Sequence, residues 1–304
     1  MNTKPTVTIG IPAYNEEQNI VNVLRSILSQ DMSNFSLAEI IVISDGSSDQ
    51  TVKLARSLKS KLLTVISRKD RKGKSERMNE LFRFAKSDIL VLIDADCVLS
   101  NKSLFYMIKT LTSQENRTVV SANAKPVPET TLVYKILSSG VNINRRASTT
   151  WKGGNNVYSY RGSMMGVKKV LFKYINLPST PGTDAYLYFM AKKHKLASAY
   201  VPKSVIYYRL PSRIRGHIKQ STRFLRSQES MKNIFGEWTV SEYKIPKKIL
   251  VKSTISEFMI NPIGVSMFIL LNFVIALRAK VKKEKISGVW DISSSTKKAI
   301  IKYE

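Results

Sequence analysis

One cysteine, Cys97, and two histidines are all the thiol and imidazole that 304 residues supply. A lone thiol closes no intrachain disulfide, and nothing in its neighbourhood reads as a zinc site. Cys97 directly follows an acidic pair, and a small buried filler is the expected role rather than a nucleophile. No Gly-x-Gly-x-x-Gly follows the first strand, and no Gly-x-x-x-x-Gly-Lys-Ser/Thr occurs, which argues against dinucleotide-binding and P-loop enzymes. Carboxylates are scarce in the second half: residues 131–304 hold 31 Lys+Arg against 8 Asp+Glu, a difference of +23. Long apolar runs are scarce too. The cleanest, Ile263 to Leu277, is shorter than the roughly 20 residues of a bilayer crossing and reaches that length only when counted from Phe258. The polar start, Met1 to Pro5, predicts no signal peptide and a cytosolic compartment.

The formal net charge is +27, and its distribution informs more than its size. Residues 1–130 hold 18 Lys+Arg against 14 Asp+Glu, a difference of +4, as in an ordinary soluble domain. The excess therefore lies on the second half, where it suits nucleic acid, anionic lipid or a phosphorylated substrate. Lys244, Lys247, Lys248 and Lys252 precede the apolar run, and Arg278, Lys280, Lys282, Lys283 and Lys285 follow it. Basic flanks on both sides predict a segment lying on, or dipping into, an anionic leaflet.

Periodicity in the first half alternates strand and helix. Thr6 to Ile11 reads as a strand stopped by Pro12. Ile20, Val23, Leu24, Ile27 and Leu28 recur at helical spacing behind Asn15-Glu16-Glu17. Ile40 to Ile43 is a second strand, ended by Ser44-Asp45-Gly46-Ser47-Ser48-Asp49, which is turn and cap chemistry. Leu62 to Ile66 is a third, followed by a basic loop from Arg68 to Lys74 and a helix carrying Met78, Leu81, Phe82 and Ala85. This order predicts an α/β fold with an open, mostly parallel sheet and ligands at the carboxyl ends of its strands. Further on, the pattern predicts a strand over Thr118 to Ala122 and a helix over Leu132 to Asn144. An alternating segment, Tyr158 to Val167, contains Arg161-Gly162-Ser163. A helix from Gly182-Thr183-Asp184, two short strands around Pro202-Lys203 and a basic helix from Ile214 to Met231 complete it.

The fourth strand, Ile89 to Ile93, runs into Asp94-Ala95-Asp96. Spacing two on an extended backbone puts both carboxylates on one side of the chain. Their repulsion is relieved by a divalent cation with oxygen ligands, or by solvent in a plain acidic turn.

Seven segments in order resemble family 2 glycosyltransferases, inverting enzymes of the GT-A fold. Val7-Thr-Ile-Gly-Ile-Pro-Ala-Tyr-Asn-Glu-Glu17 resembles the opening strand and nucleotide loop. Ile41-Val-Ile-Ser-Asp-Gly-Ser-Ser-Asp-Gln-Thr51 is similar to the Asp-Asp-Gly-Ser-x-Asp segment, with Ser44 for the first Asp. Lys72-Gly-Lys-Ser-Glu-Arg-Met-Asn79 resembles the Gly-Lys…Leu-Asn stretch, and Asp94-Ala-Asp96 stands where the family has Asp-x-Asp. Gly162 to Phe172 resembles the acceptor-side strand. Gly182-Thr-Asp-Ala-Tyr-Leu187 resembles Glu-Asp-x-x-Leu, with Thr183 for Glu. Gln220-Ser-Thr-Arg-Phe224 resembles Gln-x-x-Arg-Trp, with Phe for Trp.

The resemblance implies a Rossmann-like central sheet flanked by helices and metal-dependent transfer from a nucleotide-sugar, with a UDP-sugar as first expectation. Pro12, Ala13, Tyr14 and Glu16, with Asp45, would hold base and ribose. Lys74 would sit near base or phosphate. Asp96, with Asp94 beside it, would bind Mg²⁺ or Mn²⁺ at the diphosphate. Asp184 would be the general base, its basicity lowered by surrounding cations. Gly162, Gln220 and Phe224 would face the acceptor, and Arg223 the diphosphate. The implied layout is a catalytic domain over 1–232, with a nucleotide-sugar half at 1–125 and an acceptor half at 126–232. A basic, membrane-associated region follows over 233–304, with an in-plane or transmembrane helix at 258–277. The expected acceptor is a glycan or lipid-linked molecule at the cytoplasmic face of the cell membrane, with no nucleic acid partner. The alternatives are a nucleic-acid or anionic-surface binding protein, and a nucleotidyltransferase on a similar sheet.

Overall fold

The structure is a computed structural model and describes residues 4–281 and 298–300. Along the chain come β1 (Thr6–Ala13), α1 (Ile20–Leu28), β2 (Ser36–Asp45), α2 (Thr51–Ser57), β3 (Leu63–Arg68), α3 (Lys74–Phe84) and β4 (Ile89–Ile93). Next are β5 (Cys97–Leu99), α4 (Ser103–Thr112), β6 (Arg117–Pro126), α5 (Leu132–Thr150), β7 (Met164–Lys168) and α6 (Lys169–Phe172). The remainder is α7 (Thr183–Lys193), β8 (Ala197–Tyr208), α8 (Ile214–Phe235), α9 (Trp238–Ser241), α10 (Lys247–Phe258) and α11 (Pro262–Val281).

The eight strands form one sheet in the order β3-β2-β1-β4-β7-β6-β8-β5. The first four are mutually parallel, as expected, and β7 joins antiparallel to both β4 and β6. The sheet is therefore mixed, with its parallel part confined to the first half and to β6–β8. Period-two alternation builds a core on each face. Ile40 and Val42 pack with Val7, Ile9, Ile11 and the apolar sides of α1 and α4, whereas Ile41 and Ile43 pack with Leu90, Leu92, α3 and α7.

Several elements differ from the sequence expectation. β1 continues through Pro12 to Ala13, because pairing with β4 ends at Gly10 and the missing proline N–H breaks no second ladder there. α4 was not expected at all, although Leu104, Met107, Ile108 and Leu111 carry the helical spacing and are buried. The two strands foreseen around Pro202 are one strand, β8, whose register shifts between Ala122 and Asn123 of β6. β7 starts only at Met164, leaving Arg161 to Ser163 as an approach loop.

The apolar run at 258–277 is not one helix. α10 ends at Phe258 and α11 begins at Pro262, so the two form a hairpin. Proline suits a first helical position, and the Asn261 side chain accepts the Gly264 N–H at 3.0 Å as its cap. Among the described residues no helix is long and apolar enough to cross a membrane. The expected basic flank from Lys282 onward lies outside the described residues. Both hairpin helices pack on α5. Asn142 Nδ2 donates to Glu257 at 2.9 Å, and Arg146 pairs with the same carboxylate at 3.5 Å. Gly140 permits the close approach of α11: a Cβ there would lie 2.1 Å from the Phe268 ring.

Candidate active site

The carboxyl ends of β1, β2 and β4 converge where the strand order reverses between β1 and β4, the crevice in which open α/β sheets bind ligands. β4 delivers Asp94 and Asp96 to it. Asp94 is anchored through its backbone, which donates to the Ser163 carbonyl at 3.0 Å. Its carboxylate accepts from the Lys74 ammonium, the first residue of α3. Lys74 is thus a helix-terminal group held over the acidic pair rather than a member of a solvated loop. Asp96 keeps part of its surface open but sits deep in the strand end. Burial, with the Asp94 charge adding to it, pushes its carboxyl up to about 6, against the opposing pull of Lys74. The Cys97 thiol lies 3.6 Å from Asp96 and is itself buried, which raises it well above the usual thiol range. That fits the expected filler.

Asp184 reaches the same place from the first turn of α7. Its Oδ2 accepts the Gly162 N–H at 3.2 Å, and its Oδ1 accepts the Ala185 N–H at 2.9 Å. A Cβ on Gly162 would lie 3.6 Å from Asp184 and 3.7 Å from the Lys74 ammonium, so the loop before β7, the Asp184 carboxylate and the Lys74 cation meet at one point. The cations do not lower Asp184 as expected. Burial is the larger effect and raises its carboxyl above the usual range, with Lys74 opposing only in part. Arg223 of α8 lies within electrostatic reach of both Asp184 and Asp94, while burial pulls its own guanidinium down.

α7 and α8 are locked together at this point by Gly182, which caps α7 at φ +99°. A Cβ there would lie 1.9 Å from Ser227 Oγ on α8. Gly182→Ala is therefore expected to cost about 1–3 kcal/mol and to displace Asp184, lowering any activity that uses it. Thermal unfolding and turnover on one preparation check it; an unchanged Tm would show that the contact relaxes freely.

The residues expected to hold base and ribose lie at the strand ends and in the loops beside them. Tyr14 lies at the end of β1, with the Arg71 guanidinium 4.0 Å over its ring. Glu16 accepts from Asn19 at 3.2 Å, and its backbone N–H donates to Thr51 Oγ1 at 2.7 Å, tying the loop after β1 to α2. Pro12 and Ala13 form the strand end beneath. Asp45 does not face the crevice as an open acceptor. It is 5 % exposed, and its oxygens take the Lys72 N–H at 2.9 Å, the Gly73 N–H at 2.8 Å and Arg77 Nε at 2.6 Å. Arg77, buried and bonded also to Glu80 and the Asp70 carbonyl, needs that carboxylate. Asp45 thus shapes the loop that delivers Lys74. Asp49 lies one residue before the Gln50 N-cap of α2 and accepts the Thr51 N–H at 3.0 Å.

On the acceptor side Gln220 is exposed, one helical turn before Arg223. Phe224 is 42 % exposed and leans on Tyr158 at 5.7 Å and Tyr243 at 6.2 Å, an aromatic shelf beside the carboxylates. His217, half-buried on α8, has its ring 6.0 Å from that of Phe268.

For a divalent cation the donor set is suitable but incomplete. Asp94 and Asp96 are hard oxygen ligands at one strand end, two residues apart. Among the described residues no group of three His, Cys, Asp or Glu surrounds such a position. A cation there would need further ligands from outside these two side chains.

The family described as glycosyl transferase family 2 matches residues 8–174. A poly-beta-1,6-N-acetyl-D-glucosamine synthase from Staphylococcus aureus (strain COL) is 26% identical over 131 residues, which is 43% of this chain and 31% of that protein. The chain thus spans under a third of that relative's length. A mannosyltransferase from Pyrobaculum calidifontis, solved with GDP-Man and Mn²⁺, shares the fold at a TM-score of 0.60 and 18% identity, over 94% of this chain and 77% of that one. Glucosyl-3-phosphoglycerate synthase from Mycobacterium tuberculosis, solved with Mn²⁺, UDP and glucosyl-3-phosphoglycerate, matches at 0.51 and 18%, over 76% and 80%. The fold is that of the GT-A glycosyltransferases, and with more than half its length matched this chain belongs to glycosyl transferase family 2.

Proposed function

We propose that the protein transfers a sugar from a UDP-sugar to a hydroxyl of a glycan or lipid-linked acceptor, with inversion, at an anionic membrane surface. The observation that carries this reading is the meeting of Asp94, Asp96, Asp184, Lys74 and Arg223 at the end of β4. Asp184 takes the proton from the acceptor hydroxyl as its oxygen bonds to the anomeric carbon. The bond from that carbon to the diphosphate breaks, and its electron pair leaves with the nucleoside diphosphate. Burial raises the basicity of Asp184 toward that task. Lys74 exchanges Asp94 for the diphosphate oxygens, and Arg223 adds a second cation there. Asp96 and Asp94 hold Mg²⁺ or Mn²⁺, which when bound supplies Lewis-acid stabilisation of the leaving charge. Tyr14, Pro12, Ala13 and Glu16 frame the base, and Gly162, Gln220 and Phe224 line the acceptor side.

Solved relatives with Mn²⁺ and a nucleotide or nucleotide-sugar support the donor class, and those with UDP support the uridine choice. Titration with UDP and GDP, each with Mn²⁺ and then with chelator, tests it. UDP is expected to bind at least about tenfold tighter than GDP and to lose most affinity without metal. Tighter GDP binding would change the donor class, and binding of neither would remove the transferase reading.

The α10–α11 hairpin supports the membrane part. At its tip Met259, Ile260 and Ile263 are 79%, 67% and 70% exposed, and Ile255, Leu270 and Phe273 extend the apolar surface. Lys247, Lys248 and Lys252 lie exposed on α10, a pairing of apolar area and cations that fits an anionic leaflet. Ile260→Glu with Ile263→Glu is expected to weaken co-sedimentation with phosphatidylglycerol vesicles about tenfold. Equal pelleting of wild type and variant would discard the hairpin as the docking element.

A further inference from the structure

The chain after α8 turns back toward Asp184. Gly236, at φ +99°, ends α8 in a conformation that favours glycine, and the segment that follows packs on α7. This segment lies beyond the residues matched by the family. One carboxylate fastens it. Glu242 is 8% exposed and accepts from Tyr188 Oη at 2.9 Å and Lys192 at 2.8 Å, both on α7, and from Lys152 at 3.0 Å. Three donors on one sheltered carboxylate fix the chain at that residue. Trp238 adds an edge contact to Phe189 of α7, with ring centroids 5.4 Å apart.

The next residue is Tyr243, and its ring stands among the three elements that converge on Asp184. Its centroid lies 5.7 Å from Phe189 of α7, 6.0 Å from Tyr158, which precedes the Gly162 loop, and 6.2 Å from Phe224 of α8. Tyr158 Oη donates to the Tyr243 carbonyl at 2.7 Å, which fixes the backbone as well. The Tyr243 hydroxyl is sheltered from solvent and faces Ser227, the residue wedged against Gly182, two positions before Asp184. Burial raises this phenol, and the Asp184 charge raises it further, so Tyr243 is a neutral neighbour of that carboxylate. The charged groups facing Asp184 are Lys74 from α3 and Arg223 from α8. Cations alone would lower its carboxyl, yet burial prevails, so packing decides its basicity. The Tyr243 ring is the bulky part of that packing supplied from beyond α8.

We propose that Tyr243 is a positioning residue for Asp184: its ring closes the angle between α7, α8 and the loop before β7, and so limits the water that reaches the carboxylate. Glu242 is the clasp that keeps the ring there. This rests on the transferase reading, in which Asp184 is the base, and adds to it a residue that acts through Asp184 rather than on the substrate.

The experiment follows the titration of Asp184 in the full chain, in chelator, by NMR of the Gly162 and Ala185 amides, which donate to its two oxygens at 3.2 Å and 2.9 Å. Asp184→Asn identifies the step that belongs to this carboxyl. In wild type that step lies above the ordinary aspartate value of 3.8. Tyr243→Ala is expected to bring it down toward that value, because water then reaches the carboxylate. Tyr243→Phe keeps the ring and is expected to keep the raised step. Trp238→Ala removes the contact to Phe189 and is expected to lower Tm without moving the step, which separates positioning from mere stability. Glu242→Gln loosens the clasp and is expected to move the step as Tyr243→Ala does, which keeps the test open where that variant folds poorly. A step unmoved in both of these variants, or moved as far in Tyr243→Phe or Trp238→Ala, overturns the inference. UDP affinity with Mn²⁺ is expected to stay within about twofold of wild type in the Tyr243 variants. If wild type itself binds no UDP while the step still answers to Tyr243→Ala and not to Tyr243→Phe, the wall stands and the transferase reading falls.

Discussion

Asp96→Asn is expected to lower sugar transfer by on the order of 10²–10³ while making the metal-free protein more stable at neutral pH. The two effects share one cause. In the folded chain burial and Asp94 push the Asp96 carboxyl up to about 6, whereas an unfolded aspartate titrates near its ordinary value of 3.8. Between those values the folded state binds more protons, so this carboxylate lowers stability as pH rises through that window. The cost is fully present above about pH 6. Two units correspond to roughly 3 kcal/mol, and partial solvent access reduces the expected gain in the asparagine variant to about 1–2 kcal/mol. Thermal unfolding in chelator at pH 7.5 and pH 4 reads this directly: the variant gains at the higher pH and not at the lower. Mn²⁺ with UDP should close the gap by stabilising wild type alone. A variant that turns over normally, or that unfolds earlier at pH 7.5, would refute the assignment of Asp96 to the diphosphate site.

Asp184→Asn is expected to reduce transfer by about 10²–10⁴ with UDP affinity unchanged. The amide is isosteric and keeps an oxygen for the Gly162 N–H, so the loop before β7 stays in place. What is lost is the site for the acceptor proton. Because burial raises the wild-type carboxyl, the acid limb of kcat/KM should lie above the usual carboxylate range. The part of that limb owed to Asp184 should disappear in the variant, leaving the part owed to Asp96. Slow hydrolysis of the donor by water should persist, since the leaving side of the reaction is intact. If the variant loses UDP binding along with transfer, Asp184 serves the donor and not the acceptor. If it transfers at the wild-type rate, the base lies elsewhere.

Much of this site is local in origin. Ile89 to Ile93 is apolar on consecutive residues because both faces of the sheet are covered, and the spacing of Asp94 and Asp96 follows from an extended backbone. The first parallel strands are legible for the same reason. Legibility fails where a partner is distant in sequence. Asp45 reads as an exposed ligand until Arg77, 32 residues on, is seen to occupy it. The rise of the Asp184 carboxyl reverses the expectation from neighbouring charges, because burial is a property of packing and not of composition. The helix at 258–277 is a different failure. The cap at Asn261-Pro262 is written locally, but the even hydropathy on either side conceals it. α4 is the converse case, a helix whose apolar period is plain in the sequence.

By itself the sequence determined the elements and their chemistry: alternating apolar strands and helices, an acidic pair at a strand end, and a basic second half. These follow from side-chain periodicity and local turn chemistry, which act over a few residues. Only the tertiary structure decided which groups meet. The antiparallel insertion of β7 beside β4 brings Gly162 and Arg161 to the acidic pair, and the Gly182–Ser227 contact brings Asp184 to Arg223. Strand order and helix packing are long-range choices, made by the burial of both sheet faces at once, and no short stretch of sequence contains them.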